Sequence, residues 1–379
     1  MPTLGPTTGH VRILIVDDSA VMRSLLRSVI LSDSGLEVAG TAADGSSALE
    51  SVRLYAPDLI LLDVEMPVMD GLLTLRELRA RRYAMPVIMC SSLTQHGAQV
   101  TIEALASGAS DYVAKPTGQS GREAASRALA QELLPKIHAL TGHLQARSAA
   151  LAGPRTVLSM PGMPPTRAPQ LLTRPQVLVM GVSTGGPAAL DVLLPELPAR
   201  FPLPVLIVQH MPEVFTRLLA ERLSRRCPLH VCEAAGGMPA LPGSVYIARG
   251  NWHMETLASA RPGAPVTLHL TQDPPENHCR PAVDTLFRSA ARAYGAGVLA
   301  VVLTGMGYDG LAGSRVILEH GGSVLAQDQA TSTVWGMPGA VAQAGLAYKV
   351  LPLRAIAPEI LRVAGAAAAE TRAPARMVV

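Results

Sequence analysis

Three segments each place one polar residue in a turn of small neighbours. Ser183 lies in Gly181-Val182-Ser183-Thr184-Gly185-Gly186-Pro187, His210 in Gln209-His210-Met211-Pro212, and Asp309 in Thr304-Gly305-Met306-Gly307-Tyr308-Asp309-Gly310. A serine hydroxyl is a weak nucleophile at neutral pH and needs a base, and an imidazole base needs a carboxylate to hold its tautomer. Together these residues supply the parts for acyl transfer through a serine. A Gly-x-Ser-x-Gly turn between strand and helix lets the hydroxyl project and puts helix N-terminal N–H groups near a developing oxyanion. The same glycines could cradle a phosphate, but the segment lacks the Lys-Ser/Thr ending of a P-loop and the spacing of Gly-x-Gly-x-x-Gly. The chain order Ser, His, Asp differs from the Ser, Asp, His order of α/β-hydrolases, which disfavours that fold and leaves the chemistry intact.

A second constellation occupies the N-terminal third. Asp17 and Asp18 follow one apolar run, Asp63 ends another, Ser91 a third, and Lys115-Pro116 follows a fourth. Converging carboxylates repel unless a cation sits among them, and oxygen-only ligation suits Mg²⁺. The Ser91 hydroxyl and the Lys115 ammonium are suited to hold a phosphoryl group on Asp63. Helix capping by Asp17 and Asp18 is the plainer reading of that pair, but it leaves Asp63, Ser91 and Lys115 unexplained.

The elements that must position these residues are legible as alternating patterns. Val11 to Val16, Glu37 to Ala42, Leu59 to Leu62, Val87 to Cys90 and Asp111 to Ala114 read as buried strands, with helical spacing in Ala20 to Leu31 and Leu72 to Arg81. This predicts an α/β fold, a doubly wound five-stranded parallel sheet of flavodoxin-like type, over residues 11–140. Residues 141–174 hold Pro154, Pro161, Pro164, Pro165 and Pro169 with several arginines and no acidic residue, and read as an extended linker. A second doubly wound, mainly parallel α/β domain is expected over 175–365. Its clearest strands are Val177 to Met180, Val205 to Val208, Val245 to Ala248 and Val298 to Leu303, and a helix follows from Ala188 to Leu194. Residues 366–379 read as a frayed tail.

Composition narrows the function classes. A length of 379 residues favours two domains, and 49% hydrophobic with 16% charged residues excludes bulk disorder. A net charge of +3 and the lack of a Lys/Arg run argue against a nucleic-acid partner. Cys90, Cys227, Cys232 and Cys279 form no CxxC pair, so reduced thiols in the cytoplasm are the default. No apolar run approaches the roughly 20 residues of a membrane span, so no membrane insertion is expected.

The N-terminal residues resemble the receiver domain of two-component response regulators: Val16-Asp17-Asp18-Ser19, Asp63 followed by Met66-Pro67-Val68-Met69-Asp70-Gly71, Ser91, and Tyr112 with Lys115-Pro116. The resemblance implies that Asp63 is the phosphoacceptor, that Asp17, Asp18 and Asp63 hold Mg²⁺, that Lys115 contacts the phosphoryl group, and that Ser91 and Tyr112 form a switch pair. From Gln176 to Arg362 the chain resembles the catalytic domain of the chemotaxis protein-glutamate methylesterases, the CheB family. The three segments around Ser183, His210 and Asp309 match in order and spacing. That resemblance implies nucleophile Ser183, base His210, orienting Asp309, and oxyanion support from Thr184 and the Met306 N–H. It further implies a phosphorylation-activated esterase acting on glutamate methyl esters of methyl-accepting chemotaxis receptors and deamidating receptor glutamines. A histidine kinase would be the phosphodonor, and the esterase itself would need no cofactor. His278-Cys279-Arg280-Pro281-Ala282-Val283-Asp284 resembles a family segment near the site, although a structural loop is an equal reading, and Trp335-Gly336-Met337-Pro338 resembles a turn at its edge. Val182 stands where the family more often has a smaller residue, a change expected to leave the chemistry unaltered, with a narrower approach to Ser183 as its one possible effect. The rival readings are a receiver-linked DNA-binding output and a non-enzymatic scaffold.

Overall fold

The computed structural model describes residues 9–92, 94–116, 121–151, 174–258, 261 and 263–365. The chain forms two compact units. No helix among the described residues is long and apolar enough to cross a membrane.

The N-terminal unit alternates strand and helix: β1 (Val11–Val16), α1 (Ala20–Ile30), β2 (Leu36–Ala42), α2 (Gly45–Tyr55), β3 (Leu59–Asp63), α3 (Gly71–Ala80), β4 (Val87–Ser91), α4 (Gln95–Ala106), β5 (Asp111–Ala114) and α5 (Arg122–Leu151). Its strands pair in parallel in the order β2-β1-β3-β4-β5. Strands β3 and β4 are buried along their whole length, as expected for a sheet covered on both faces. Four helices begin on a side-chain cap: Ser19 accepts from Met22 N, Asp44 from Ser47 N, Asp70 from Leu73 N and Thr94 from Gly97 N. Because Ser19 caps α1, Asp17 and Asp18 are not needed for that purpose. The sheet order reverses between β1 and β3, which opens a crevice at their carboxyl ends.

The expected linker begins too early. Helix α5 does not stop near residue 140 but runs on to Leu151. Leu129, Leu133, Ile137 and Leu140 recur at helical spacing and are buried, and the Thr141 hydroxyl donates back to the Ile137 carbonyl. The prolines that signalled an extended chain all lie between 152 and 173, which together with the tail 366–379 fall outside the described residues.

The C-terminal unit comprises β6 (Val177–Val182), α6 (Gly186–Leu193), β7 (Val205–Gln209), α7 (Glu213–Arg226), β8 (His230–Glu233), β9 (Ser244–Ile247), β10 (His253–Leu257), β11 (Thr267–Thr271), α8 (Val283–Tyr294), β12 (Val298–Val302), α9 (Leu311–Glu319), β13 (Ser323–Gln327), α10 (Met337–Gln343), β14 (Lys349–Leu351) and α11 (Leu353–Ala364). Seven strands form a parallel sheet in the order β14-β13-β12-β6-β7-β9-β8, and β10 and β11 make a separate antiparallel pair. The central strands β12, β6 and β7 are buried throughout. Since β6 comes first in the chain and its neighbours are reached in opposite directions, the switch point lies at the carboxyl ends of these three strands.

One close approach in the N-terminal unit is testable. Gly71 opens α3, and a Cβ there would stand 2.0 Å from the Asp63 carbonyl oxygen. Gly71→Ala should therefore destabilise this unit by about 1–3 kcal/mol through forced backbone displacement. The result is read as a lowered calorimetric transition, and an unchanged transition would mean that α3 can retreat freely from Asp63.

Candidate active site

The three central strands each deliver one of the expected residues. Ser183 follows β6 and donates its N–H to the Thr304 carbonyl at 3.0 Å, which locks the serine turn to the one after β12. Gly185 takes a φ of +78° at the start of α6, a conformation that suits glycine. A Cβ on Gly305 would lie 2.8 Å from Ser183 Cβ, so only glycine lets these turns close up. Thr304 reinforces the junction, its hydroxyl donating to the Thr184 carbonyl at 2.9 Å and accepting from Val334 N. Gln209, which the sequence reading passed over, donates its amide to the Ser183 carbonyl at 3.1 Å and so ties β7 to the serine turn.

His210 leaves β7 with its N–H on the Val182 carbonyl. Its Nε2 meets Asp309 Oδ2 at 2.8 Å. Nδ1, the nitrogen turned away from Asp309, faces Cys279 Sγ at 3.6 Å. Among the described residues no hydrogen bond joins Ser183 Oγ to the imidazole. Such bonds are often long until substrate is present.

Asp309 is nearly fully buried, and its carboxylate is held from several sides. Besides the imidazole, Oδ2 accepts Val283 N at 2.7 Å, while Oδ1 accepts Asp284 N, Gly310 N and Asn277 Nδ2, each at 3.0 Å. Val283 and Asp284 are the first residues of α8, whose N-cap position, Ala282, provides no side-chain cap. Asp309 thus caps that helix from another strand's turn and gains from its positive end. Burial works against the charge of Asp309, but the imidazole and the helix N–H groups outweigh it and hold the carboxyl below its usual value. Burial likewise opposes charge on His210, and the bonds to Asp309 and Cys279 more than offset it, raising the imidazole above its ordinary value.

Asp284, the other candidate carboxylate, does not reach the histidine. Its oxygens accept from Gly313 N at 2.6 Å and from Asn277 Nδ2 at 3.0 Å. Burial and the Asp309 charge raise its pKa to about 6. Asn277 therefore bridges two carboxylates, and the sequence carried no signal for it. It sits in a tight turn where Glu276 and Cys279 exchange backbone hydrogen bonds, and Arg288 and Thr285 of α8 grip Glu276. The Cys279 segment is consequently part of the site's frame. Val182 corrects another expectation: its side chain is buried and packs toward Gly186, so it does not narrow the approach to Ser183. Met306 is partly exposed, and among the described residues its N–H has no acceptor.

In the N-terminal unit the expected acidic crevice forms. Asp17, Asp18 and Asp63 bring oxygens within 4.8 Å of one another. Lys115 Nζ lies 2.9 Å from Asp17 Oδ2 and 2.7 Å from Asp63 Oδ2, yet neither buried oxygen accepts a well-directed hydrogen bond. One ammonium against three carboxylates, Asp17 and Asp63 buried and Asp18 exposed, leaves excess negative charge, a setting that fits a hard divalent cation. Burial raises Asp63 most, Lys115 opposes it and the Asp17 charge adds to it, giving a pKa of about 6. Ser91 is buried with its hydroxyl on the Ser92 carbonyl, and Tyr112 is buried with its ring 4.9 Å from the Lys136 ammonium. An open cleft of about 480 Å³ lies beside Asp18, lined also by Glu65, Met66, Pro67 and Asp70.

Each unit matches a known family. Residues 178–360 match the CheB methylesterase family and residues 13–125 match the response regulator receiver domain. A protein-glutamate methylesterase/protein-glutamine glutaminase of Nocardioides sp. is 48% identical over 93% of this chain and 95% of its own length. Its counterpart in Trichodesmium erythraeum is 47% identical over 93% and 99%, and that of Azospirillum brasilense 43% identical over 97% and 96%. With both units matched and both chains aligned over nearly their whole length, the chain belongs to the protein-glutamate methylesterase/protein-glutamine glutaminase family, a CheB methylesterase domain preceded by a response regulator receiver domain.

Proposed function

We propose that the protein is a phosphorylation-activated esterase that hydrolyses glutamate methyl esters on methyl-accepting chemotaxis receptors and deamidates receptor glutamines. The observation that carries this reading is the His210–Asp309 pair, fixed beside Ser183 at the ends of three adjacent strands. Ser183 Oγ attacks the ester carbonyl while His210 Nδ1 takes its proton. Asp309, on Nε2–H, holds the tautomer and stabilises the imidazolium. The Met306 N–H, with support from the Thr184 turn, receives the oxyanion. His210 then gives the proton to the leaving methoxy oxygen, releasing methanol, or to the amide nitrogen when the substrate is a glutamine, releasing ammonia. Water attacks the γ-glutamyl ester of Ser183 by the same route and frees the carboxylate.

The receiver supplies control. Asp63 takes a phosphoryl group from a histidine kinase and Lys115 pairs with the added charge, and Asp17, Asp18 and Asp63 would hold the Mg²⁺. Ser91 turning toward the phosphoryl group and Tyr112 repacking would form the two-state element. Mg²⁺ supplies charge neutralisation in the receiver, and the esterase steps use only the protein's own groups. The reading places the protein in the cytoplasm, and a DNA-binding or non-enzymatic output is not favoured.

Ser183→Ala should abolish methanol release from methylated receptor membranes with the fold intact by circular dichroism, and retention of more than about a tenth of the rate would reject Ser183 as nucleophile. His210 acts as base only when neutral. Since its pKa is raised, kcat/KM should climb with pH, about tenfold per unit, until it passes that pKa. Asp309→Asn removes the carboxylate that raises it, so the rising limb should move to lower pH while the plateau falls by about 10³–10⁴-fold. A mutant limb at the wild-type pH would mean that Asp309 does not set the imidazole's charge.

For the receiver, Asp63→Asn should remove stimulation by a small phosphodonor. Because Asp63 must lose its proton to bind a cation, apparent Mg²⁺ affinity should fall as pH drops through about 6. Calorimetric titration between pH 5 and pH 8, roughly the span bracketing that pKa, checks this, and a pH-independent affinity would exclude Asp63 as a ligand.

A further inference from the structure

Cys279 is a soft ligand-type atom beside the proposed base that the ester chemistry does not use. Its Sγ lies 3.6 Å from His210 Nδ1. In a tetrahedral zinc site, Zn–S of about 2.3 Å and Zn–N of about 2.0–2.1 Å place sulfur and nitrogen about 3.5 Å apart. The two atoms therefore already stand at the edge of a zinc tetrahedron. Behind them, His210 gives its Nε2–H to Asp309 at 2.8 Å, so in the neutral imidazole the lone pair lies on Nδ1. A carboxylate on the far nitrogen is the usual support for a metal-bound histidine. Asp309, His210 and Cys279 form one cluster with ligand atoms within 4.8 Å, and among the described residues no other such cluster includes a cysteine. The Asp309 oxygens already hold N–H groups of α8, Gly310 and Asn277, which keeps this residue behind the imidazole rather than on the ion.

We propose that Cys279 Sγ and His210 Nδ1 form an inhibitory site for a thiophilic divalent cation of the Zn²⁺ class, with water in the remaining positions. Binding releases the thiol proton, and the Nδ1 proton wherever the imidazole is charged, to solvent, and joins sulfur and imidazole through the ion. Cys279 is partly exposed and free of any disulfide, and its turn is anchored by Glu276 to α8, so the ligands are held before the ion arrives. An occupied Nδ1 cannot take the Ser183 proton, and the esterase stops. That consequence rests on His210 being the base proposed above, whereas the binding does not.

The test uses the full chain in excess Mg²⁺, which occupies the receiver carboxylates. Zn²⁺ in a chelator buffer should inhibit ester hydrolysis reversibly, and Cys279→Ser, measured against its own metal-free rate, should need at least about tenfold more Zn²⁺. In parallel, Co²⁺ should give a sulfur-to-metal charge-transfer absorption in the wild type that is lost in Cys279→Ser and retained in a Cys227→Ser control. Equal Zn²⁺ sensitivity in both proteins, or an absorption that survives Cys279→Ser, would overturn the site. A Cys279-dependent absorption without inhibition would uphold the metal site and instead remove His210 from the role of base.

Discussion

The catalytic unit depends on the buried carboxylate of Asp309. A carboxylate withdrawn from water costs several kcal/mol unless fixed donors replace its hydration. Here the donors come from the start of α8, from Gly310 of its own turn, from Asn277 and from His210. The helix N-terminus contributes N–H groups that would otherwise lack partners, so one contact satisfies the helix and the carboxylate together. It grips both oxygens, Val283 N sharing Oδ2 with the imidazole and Asp284 N holding Oδ1. Removing the α8 contact would cost both the orientation of His210 and the seating of the helix, so stability and catalysis are coupled there.

The two units solve the same electrostatic problem differently. Both gather acidic groups at the switch point of a parallel sheet, where strand ends leave a crevice. In the catalytic unit the compensating groups are backbone and side-chain donors fixed by the fold, and they favour the ionised form of Asp309. In the receiver a single lysine faces Asp17 and Asp63 and leaves their buried oxygens without directed bonds. That incomplete compensation leaves Asp63 with a raised pKa, which suits the switch role proposed for it.

Both folds and the main site residues were legible because their signals are local. Strands β1 and β5 fall where alternation of apolar runs and turns places them, and Ser183, His210, Asp309 and Asp63 each stand at the end of such a run. What could not be read depends on contacts between distant segments. Asn277 matters because it spans Asp284 and Asp309, and Gln209 because its amide reaches back to the Ser183 carbonyl, neither of which leaves a periodic trace. The extension of α5 was masked for a different reason: prolines further along coloured the reading of residues whose helical spacing continued past Leu140. Val182 was misjudged because a β-branched residue next to a nucleophile looks obstructive until the pleat of β6 turns it inward.

The nitrogen His210 Nδ1 differs in kind from the rest of the site. His210 Nε2 and both Asp309 oxygens are held by the fold, through one another, the Asn277 amide and the backbone N–H groups of Val283, Asp284 and Gly310. In the proposed mechanism Nδ1 exchanges its resting contact for the serine proton, so locking it would abolish that chemistry. A nearby thiol gives it a weak partner at 3.6 Å, long enough to yield to a hydroxyl that comes into line when a substrate carbonyl is bound. The rigidity of the Asp309 cage is what permits this looseness, since an imidazole anchored firmly at Nε2 can exchange neighbours at Nδ1 without losing its tautomer or its plane.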